Sequence, residues 1–147
     1  MNMLSSKAAS ENGRARVMAK VKSRNTAPEL AVRGALFRRG LRYRLHASHL
    51  PGTPDIVFPR KRVAVFVHGC FWHGCTECDR GLRRPKTNLE FWNVKLNQNK
   101  LRDARNIAEL QKLGWRVAVV WECTARDQHR LMTAADRIEA ICKSSEA

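Results

Sequence analysis

The sequence has no long apolar run and no signal-like beginning. No uninterrupted apolar segment is longer than the run at residues 63–67 (Val-Ala-Val-Phe-Val), which is far too short to cross a bilayer. Residues 1–25 are polar and basic, and neither a lipidation motif nor an amphipathic anchor stands out. These absences argue against a membrane-bound or exported protein, so we expect a cytoplasmic protein with no membrane partner.

Acidic residues are scarce. The chain has 28 Lys and Arg against 13 Asp and Glu, a formal net charge of +15. So one-sided a balance predicts a polyanionic partner, and we favour nucleic acid over a membrane surface or a role in solubility alone. We interpret the basic stretch at residues 14–24 as an arm that contacts phosphates.

The length of 147 residues fits one domain with a real core. Internal repeats and low-complexity tracts are absent. We place the domain at residues 14–143, between a flexible N-terminus at 1–13 and a tail at 144–147, and expect a monomer. Capping, turn and apolar patterns predict the order helix, three strands, helix, strand, helix. The predicted segments are a helix opened by a capping box at 26–29 and ending at Gly40, strands at 41–45, 55–58 and 63–67, a long or broken helix from a second capping box at 87–90 to Gly114, a strand at 115–121, and a helix at 131–142.

The five cysteines indicate a metal site rather than disulfides. Their number is odd, and three of them form a Cys-x4-Cys-x2-Cys run in a chain without an export signal. Such soft ligands suit zinc. We therefore predict a structural zinc site formed by Cys70, Cys75, Cys78 and Cys123. The remaining cysteine, Cys142, lies in a helical pattern and is predicted to be a small buried side chain.

A second candidate site combines a carboxylate with imidazoles. Asp55 begins one predicted strand and His68 follows the next, so a hairpin brings Asp55 near the loop that also holds His73. A carboxylate, a backbone carbonyl and phosphate oxygens are ligands that Mg²⁺ prefers. His73 is the candidate general base, with a zinc ligand as the alternative. His68 is either a phosphate-contacting group or a structural imidazole, and Asp55 itself could be a solvated turn residue.

Two large aromatic rings, Phe71 and Trp72, lie inside this polar loop. Such rings can insert between base pairs, although packing around the zinc is the competing interpretation. Trp92 follows a stretch of Lys and Arg. It either inserts into DNA together with Phe71 and Trp72 or occupies a core position at a helix start.

Several motifs occur in an order that is highly specific. They are Asn25-Thr26-Ala27-Pro28-Glu29-Leu30, Leu50-Pro51-Gly52-Thr53-Pro54-Asp55, His68-Gly69-Cys70-Phe71-Trp72-His73, Pro85-Lys86-Thr87-Asn88-Leu89-Glu90-Phe91-Trp92, Gly114-Trp115-Arg116-Val117, and Val120-Trp121-Glu122-Cys123. Over residues 14–142 the chain resembles the very short patch repair (Vsr-type) DNA mismatch endonucleases.

The resemblance implies an α/β fold of the restriction-endonuclease-like, PD-(D/E)xK type, with a mixed sheet flanked by helices. It implies a nick on the 5′ side of the thymine in a T:G mismatch in double-stranded DNA, with mismatch-repair proteins as candidate partners. Asp55 and the main-chain carbonyl of Val67 would hold Mg²⁺, and His73 would activate water. His68 would assist at the phosphate with Asp103 as its carboxylate partner, Glu29 would lie near the metal, and Phe71, Trp72 and Trp92 would form the wedge.

The sequence departs from the family pattern in three places. The second and third zinc ligands would be Cys75 and Cys78 where familiar members have Cys-x4-His-x-Cys, and residue 67 is Val where Thr is familiar. No Glu-x-Lys follows the strand of Asp55, so imidazoles would replace the usual second acid and lysine of restriction nucleases. The alternative functions are a zinc-containing DNA-binding module without catalysis and a restriction-type nuclease component with broader specificity.

Overall fold

The computed structural model describes residues 25–144. The basic stretch at 14–24, the N-terminus at 1–13 and most of the predicted tail lie outside these residues. In chain order the elements are α1 (Ala27–Arg38), β1 (Arg44–Leu45), β2 (Ile56–Phe58), β3 (Val63–His68), α2 (Cys70–His73), α3 (Asp79–Leu82), α4 (Leu89–Lys112), β4 (Arg116–Trp121), α5 (Glu122–Ala125) and α6 (Gln128–Ser144).

The four strands form one mixed sheet in the order β1-β2-β3-β4. β1 and β2 pair antiparallel, β2 and β3 form the predicted antiparallel hairpin, and β3 and β4 pair parallel. The parallel pair is joined through α4, as a crossover between parallel strands requires. The predicted order of main elements is therefore confirmed, and the structure adds three short helices.

Both faces of the sheet are covered, which explains why β3 is a continuous apolar run rather than an alternating one. Val63 and Val65 pack on one side in a cluster with residues of α1 and α6. Ala64 and Phe66 pack on the other side against α4 through Leu110. The period of two along a strand thus assigns each residue to one of two cores. Cys142 lies in the first core, as predicted.

The ends of two elements differ from the sequence prediction. At α1 the capping box is confirmed in part, because Thr26 Oγ1 accepts from the Glu29 N–H, whereas the Glu29 carboxylate accepts from Asn25 rather than from Thr26. At α4 the predicted capping box is wrong: Asn88 is the N-cap residue, at φ 55°, and its side chain makes no capping hydrogen bond. α4 is one unbroken helix of 24 residues, so the broken-helix alternative is wrong.

β1 spans two residues instead of the predicted five, and Asp55 precedes β2 instead of beginning it. A two-residue edge strand satisfies few ladder hydrogen bonds, which is common at the edge of a sheet. Among the described helices, none is long and apolar enough to cross a bilayer.

Candidate active site and metal centre

Asp55 lies at the rim of a pocket of about 480 Å³ on the α4 side of the sheet. Its Oδ2 accepts a hydrogen bond of 2.8 Å from the Val67 N–H across the hairpin. Burial raises the pKa of the Asp55 carboxyl to about 6, and the Glu29 carboxylate adds to this, while the Val67 N–H, His46 and His73 act in the opposite direction. Burial outweighs these groups, so a cation bound beside the carboxylate would favour its charged form further.

Strand periodicity explains how Asp55 and His68 reach the same pocket. Asp55 lies two residues before Val57, and His68 lies two residues after Phe66, and both of those apolar residues face α4. Residues two apart on a strand share a face. The hairpin therefore carries the carboxylate and the imidazole to one side of the sheet, as the sequence predicted.

His73 forms a carboxylate–imidazole pair with Asp103 of α4. The distance from His73 Nδ1 to Asp103 Oδ2 is 2.5 Å, which leaves Nε2 of His73 for a ligand in the pocket. The resemblance implied Asp103 as the carboxylate partner of His68; in the structure the Asp103 carboxylate hydrogen-bonds His73, and one ligand atom of His68 lies within 4.8 Å of both. The four-residue helix α2 turns His73 toward α4, so its ring rather than that of His68 meets the carboxylate.

His68 lies beneath this pair. Its ring stacks on that of His73 with centroids 3.9 Å apart and planes 6° from parallel, and it contacts Phe66 and Trp121 at 5.5 Å. Burial, with a smaller contribution from His73, lowers the pKa of His68 to about 4 against the raising effect of Asp103. A neutral His68 is therefore available as a hydrogen-bonding group or ligand at neutral pH.

Glu29 and His46 form a second carboxylate–imidazole pair on the other side of Asp55. Glu29 is 1% exposed, and its Oε2 lies 3.0 Å from His46 Nε2 and 3.1 Å from Arg33 Nη1. One ligand atom each from Glu29, His46 and Asp55 lies within 4.8 Å of the other two. Asp55 is thus bordered by two imidazoles, each oriented by a carboxylate.

The sequence reasoning assigned no role to His46. Its backbone has φ 48°, in the left-handed region, directly after the short strand β1. That conformation of a non-glycine residue is uncommon and turns the ring toward Glu29. The capping motif that contains Glu29 gave no signal for this contact, because the partners are 17 residues apart.

The four predicted zinc ligands do come together. One sulfur from each of Cys70, Cys75, Cys78 and Cys123 lies within 4.8 Å of the others, and the Cys75 and Cys123 sulfurs are 3.8 Å apart. Four sulfurs placed about 2.3 Å from a tetrahedral ion are separated by about 3.8 Å, so the spacing fits a metal and not a disulfide. The cluster could bind a metal, and it does not include His73.

Backbone N–H groups support the sulfurs. The Cys123 N–H donates to Cys70 Sγ and the Glu77 N–H donates to Cys75 Sγ, each at 3.3 Å. Donors of this kind stabilise thiolates that ligate metals. Gly81 lets α3 pack closely on the metal loop, since a Cβ there would lie 1.7 Å from the carbonyl oxygen of Cys75.

The predicted wedge residues form one aromatic cluster beside the metal loop. Ring centroids are 5.2 Å apart for Phe71 and Trp72 and 5.6 Å apart for Trp92 with either. Phe91 joins through Trp92 at 5.4 Å and is 61% exposed. The cluster lies outside both cores of the sheet. The sequence analysis assigned no role to Phe91. It also assigned none to Arg102, which lines the pocket.

A mixed sheet with flanking helices, carrying carboxylates and imidazoles at its strand ends, fits an α/β nuclease. Comparisons with known proteins agree with this class. The family described as "DNA mismatch endonuclease Vsr" matches residues 7–80. The chain is 53% identical over 111 residues to the Type II nicking enzyme V.XorIIP of Xanthomonas oryzae pv. oryzae, covering 76% of this chain and 80% of that protein.

Two further relatives extend the comparison. The Type II nicking enzyme V.NmeAIP of Neisseria meningitidis is 45% identical over 112 residues, 76% of this chain and 79% of that protein. The DNA mismatch endonuclease Vsr of Escherichia coli is 41% identical over 132 residues, 88% of this chain and 83% of that protein. The chain belongs to the Vsr family of DNA mismatch endonucleases, and the predicted resemblance is confirmed.

Proposed function

We propose that this protein nicks one strand of duplex DNA on the 5′ side of the thymine in a T:G mismatch, in a Mg²⁺-dependent reaction with a structural zinc ion. The observation that supports this best is the placement of Asp55 and the His73–Asp103 pair in one pocket. Hydrolysis of a phosphodiester needs a site for a hard cation and a group that takes a proton from water. The pocket offers both, in the restriction-endonuclease-like arrangement that the sequence predicts.

The donor set around Asp55 fits Mg²⁺. The Val67 N–H points at Asp55, and the N–H and C=O of one strand residue point to the same side, so the Val67 carbonyl faces the same edge. Asp55 and this carbonyl would hold the ion, with Glu29 close by. Bound Mg²⁺ would supply a positive charge for the phosphate oxygens and lower the pKa of bound water.

The two imidazoles have different roles: His73 accepts the proton of the attacking water, and His68 contacts the phosphate. Asp103 holds His73 through Nδ1, so Nε2 can accept a proton from the attacking water. His68, kept neutral by burial, can hydrogen-bond a phosphate oxygen without repelling a protonated His73. The four sulfurs suit zinc, which would hold the loop that carries His73.

The aromatic cluster accounts for recognition of a mismatch. Phe71, Trp72 and Trp92 contact one another, remain partly exposed, and lie outside both cores of the sheet. Unstacking a base step costs about a few kcal/mol, and this cost is smaller at a mispaired step than at a matched one. This would direct the nick to mismatched DNA.

The test is a comparison of matched and T:G duplexes, each with labelled strands, with Mg²⁺ and with EDTA. We expect one nick in the thymine strand, at its 5′ side, only with Mg²⁺ and the mismatch. Asp55→Ala should abolish nicking while DNA affinity and bound zinc persist. Equal cutting of both duplexes, or unchanged nicking by the variant, would contradict the proposal.

A second candidate is a nicking enzyme restricted mainly by flanking sequence. The names of two relatives, Type II nicking enzymes, favour it. Nicking of matched DNA in one flanking context, across a panel of contexts, would support this candidate instead.

A further inference from the structure

Arg102 is the only lysine or arginine among the described residues that line the pocket. It lies on α4 directly before Asp103, and it borders the same cavity as Asp55, His68 and His73. The pocket otherwise combines carboxylates and imidazoles with small and apolar groups. Arg102 is therefore its one permanently positive side chain.

Among the residues that the structure describes, none forms an ion pair with Arg102. Within residues 25–144, no carboxylate lies within ion-pair distance of its guanidinium, whereas five other arginines form such pairs. The adjacent carboxylate of Asp103 is directed to His73. An uncompensated guanidinium beside a pocket that should bind an anion is available for that anion.

A buried amide positions the guanidinium. Arg102 Nη2 donates to Asn99 Oδ1 at 3.2 Å, and Asn99 Nδ2 donates to the Trp72 carbonyl at 3.2 Å. Asn99 is 5% exposed and Arg102 is exposed, so a buried amide holds one side of a guanidinium that stays accessible to a ligand. One side chain thus connects the arginine of the pocket to the backbone of the aromatic cluster. Insertion of the cluster into DNA and placement of Arg102 would occur together.

We propose that Arg102 binds the non-bridging oxygens of the scissile phosphate and acts as a catalytic residue in place of the lysine that the chain lacks after the strand of Asp55. This inference rests on the proposed nicking activity. In that reaction the water oxygen bonds to phosphorus, and the bond from phosphorus to the leaving bridging oxygen breaks. His73 takes the proton of the water, and the leaving oxygen takes one from solvent. Arg102 stabilises the charge that accumulates on the non-bridging oxygens.

Arg102→Gln, Arg102→Lys and Arg102→Ala would be compared with Arg105→Gln in single-turnover nicking of a T:G duplex. Arg105 is an exposed arginine three residues further along α4 that does not line the pocket, so its variant matches the loss of one positive charge. Removing one preorganised donor from such a site costs about 100- to 1000-fold in rate, which we expect for Arg102→Gln and Arg102→Ala. Arg102→Lys should retain an intermediate rate, and Arg105→Gln should remain within about threefold of the parent.

Chemical rescue separates catalysis from structure. Millimolar guanidinium should restore part of the nicking rate of Arg102→Ala and leave Arg105→Gln unchanged, since it replaces the missing group at the phosphate. If Arg102→Gln nicks as fast as Arg105→Gln, Arg102 does not act at the phosphate. The same conclusion follows if guanidinium fails to raise the nicking rate of Arg102→Ala although Arg102→Ala and Arg102→Gln have the melting temperature of the parent. If the parent protein itself fails to nick the T:G duplex, the proposed function fails as well, and the two results are distinguishable.

Discussion

Asp55→Asn should stabilise the metal-free protein at neutral pH, although it removes a residue of the proposed active site. Burial raises the pKa of Asp55 to about 6 from its ordinary value of 3.8. An acid whose pKa is raised on folding binds its proton more tightly in the native state, so its contribution to stability falls as pH rises from about 4 to about 6. At pH 8 the ionised carboxylate therefore costs up to about 3 kcal/mol, at about 1.4 kcal/mol per pKa unit.

Asn cannot ionise, and its Oδ1 can still accept from the Val67 N–H, which donates to Asp55 at 2.8 Å in the parent. We expect the variant to gain up to about 3 kcal/mol at pH 8, or about 6–12 °C in melting temperature for a chain of this size. The gain should shrink toward pH 4, where the native carboxyl is protonated. Urea unfolding at both pH values in EDTA measures it.

Added Mg²⁺ should reverse the order of stability. An ion that binds only the native state stabilises by RT ln(1 + [L]/Kd), and this term needs the ionised Asp55. The parent should therefore gain melting temperature with Mg²⁺ and the variant should not. Glu109→Gln, which removes an exposed carboxylate near the end of α4, serves as the control and should change stability by less than about 0.5 kcal/mol. An Asp55→Asn protein less stable than the parent at pH 8 in EDTA would refute the reasoning.

Three further predictions concern the surrounding groups. Because burial lowers the pKa of His68 to about 4, the native protein binds fewer protons than the unfolded one between pH 6.5 and 4, and its free energy of unfolding should fall by up to about 3 kcal/mol over that range. His68→Gln should lack this pH-dependent loss when unfolding is followed in urea. An identical pH profile of stability in the parent and the variant would contradict the prediction. Gly81→Ala should lower both the zinc content and the melting temperature, because the new Cβ would collide with the Cys75 carbonyl oxygen. The control, Gly34→Ala in α1, meets only the flexible end of an arginine side chain and should be neutral or stabilising. Full zinc content in Gly81→Ala would contradict this packing of α3 on the metal loop. Trp72→Ala should reduce the preference for T:G over matched DNA by about 10- to 100-fold, since a stacked aromatic contributes about 1–3 kcal/mol per base; an unchanged ratio of nicking rates would exclude Trp72 from recognition.

Much of the site could be predicted from residue types and spacing. Thiols in the run from Cys70 to Cys78 are soft ligands, and their short separations bring them to one ion whatever the fold. The hairpin that brings Asp55 near the loop of His68 and His73 was predicted from the short spacing of two strands, and in the structure those strands pair antiparallel with Ile56 opposite Val65. Local rules succeed for these partners because they lie within about a dozen residues of one another, whereas the fourth thiol, Cys123, lies 48 residues after Cys75 and was found through its residue type.

Contacts over longer separations could not be predicted in the same way. Asp103 lies 30 residues after His73, and its choice of that ring over His68 depends on how α2 and α4 approach each other. His46 reaches Glu29 only because its backbone adopts φ 48° after an edge strand of two residues. Asn88, in turn, was misread as part of a capping box, because a capping pattern does not by itself specify the backbone angles of the residue that caps.

The sequence by itself determined that this protein is strongly basic, that it carries soft and hard ligand sets in one loop region, and that a hairpin brings Asp55 near that loop. The tertiary structure alone decided which carboxylate orients which imidazole, and that Arg102 remains without an ion-pair partner among residues 25–144. The reason is that periodicity places a side chain on a face, whereas the choice of partner on that face depends on the packing of α4 across the sheet.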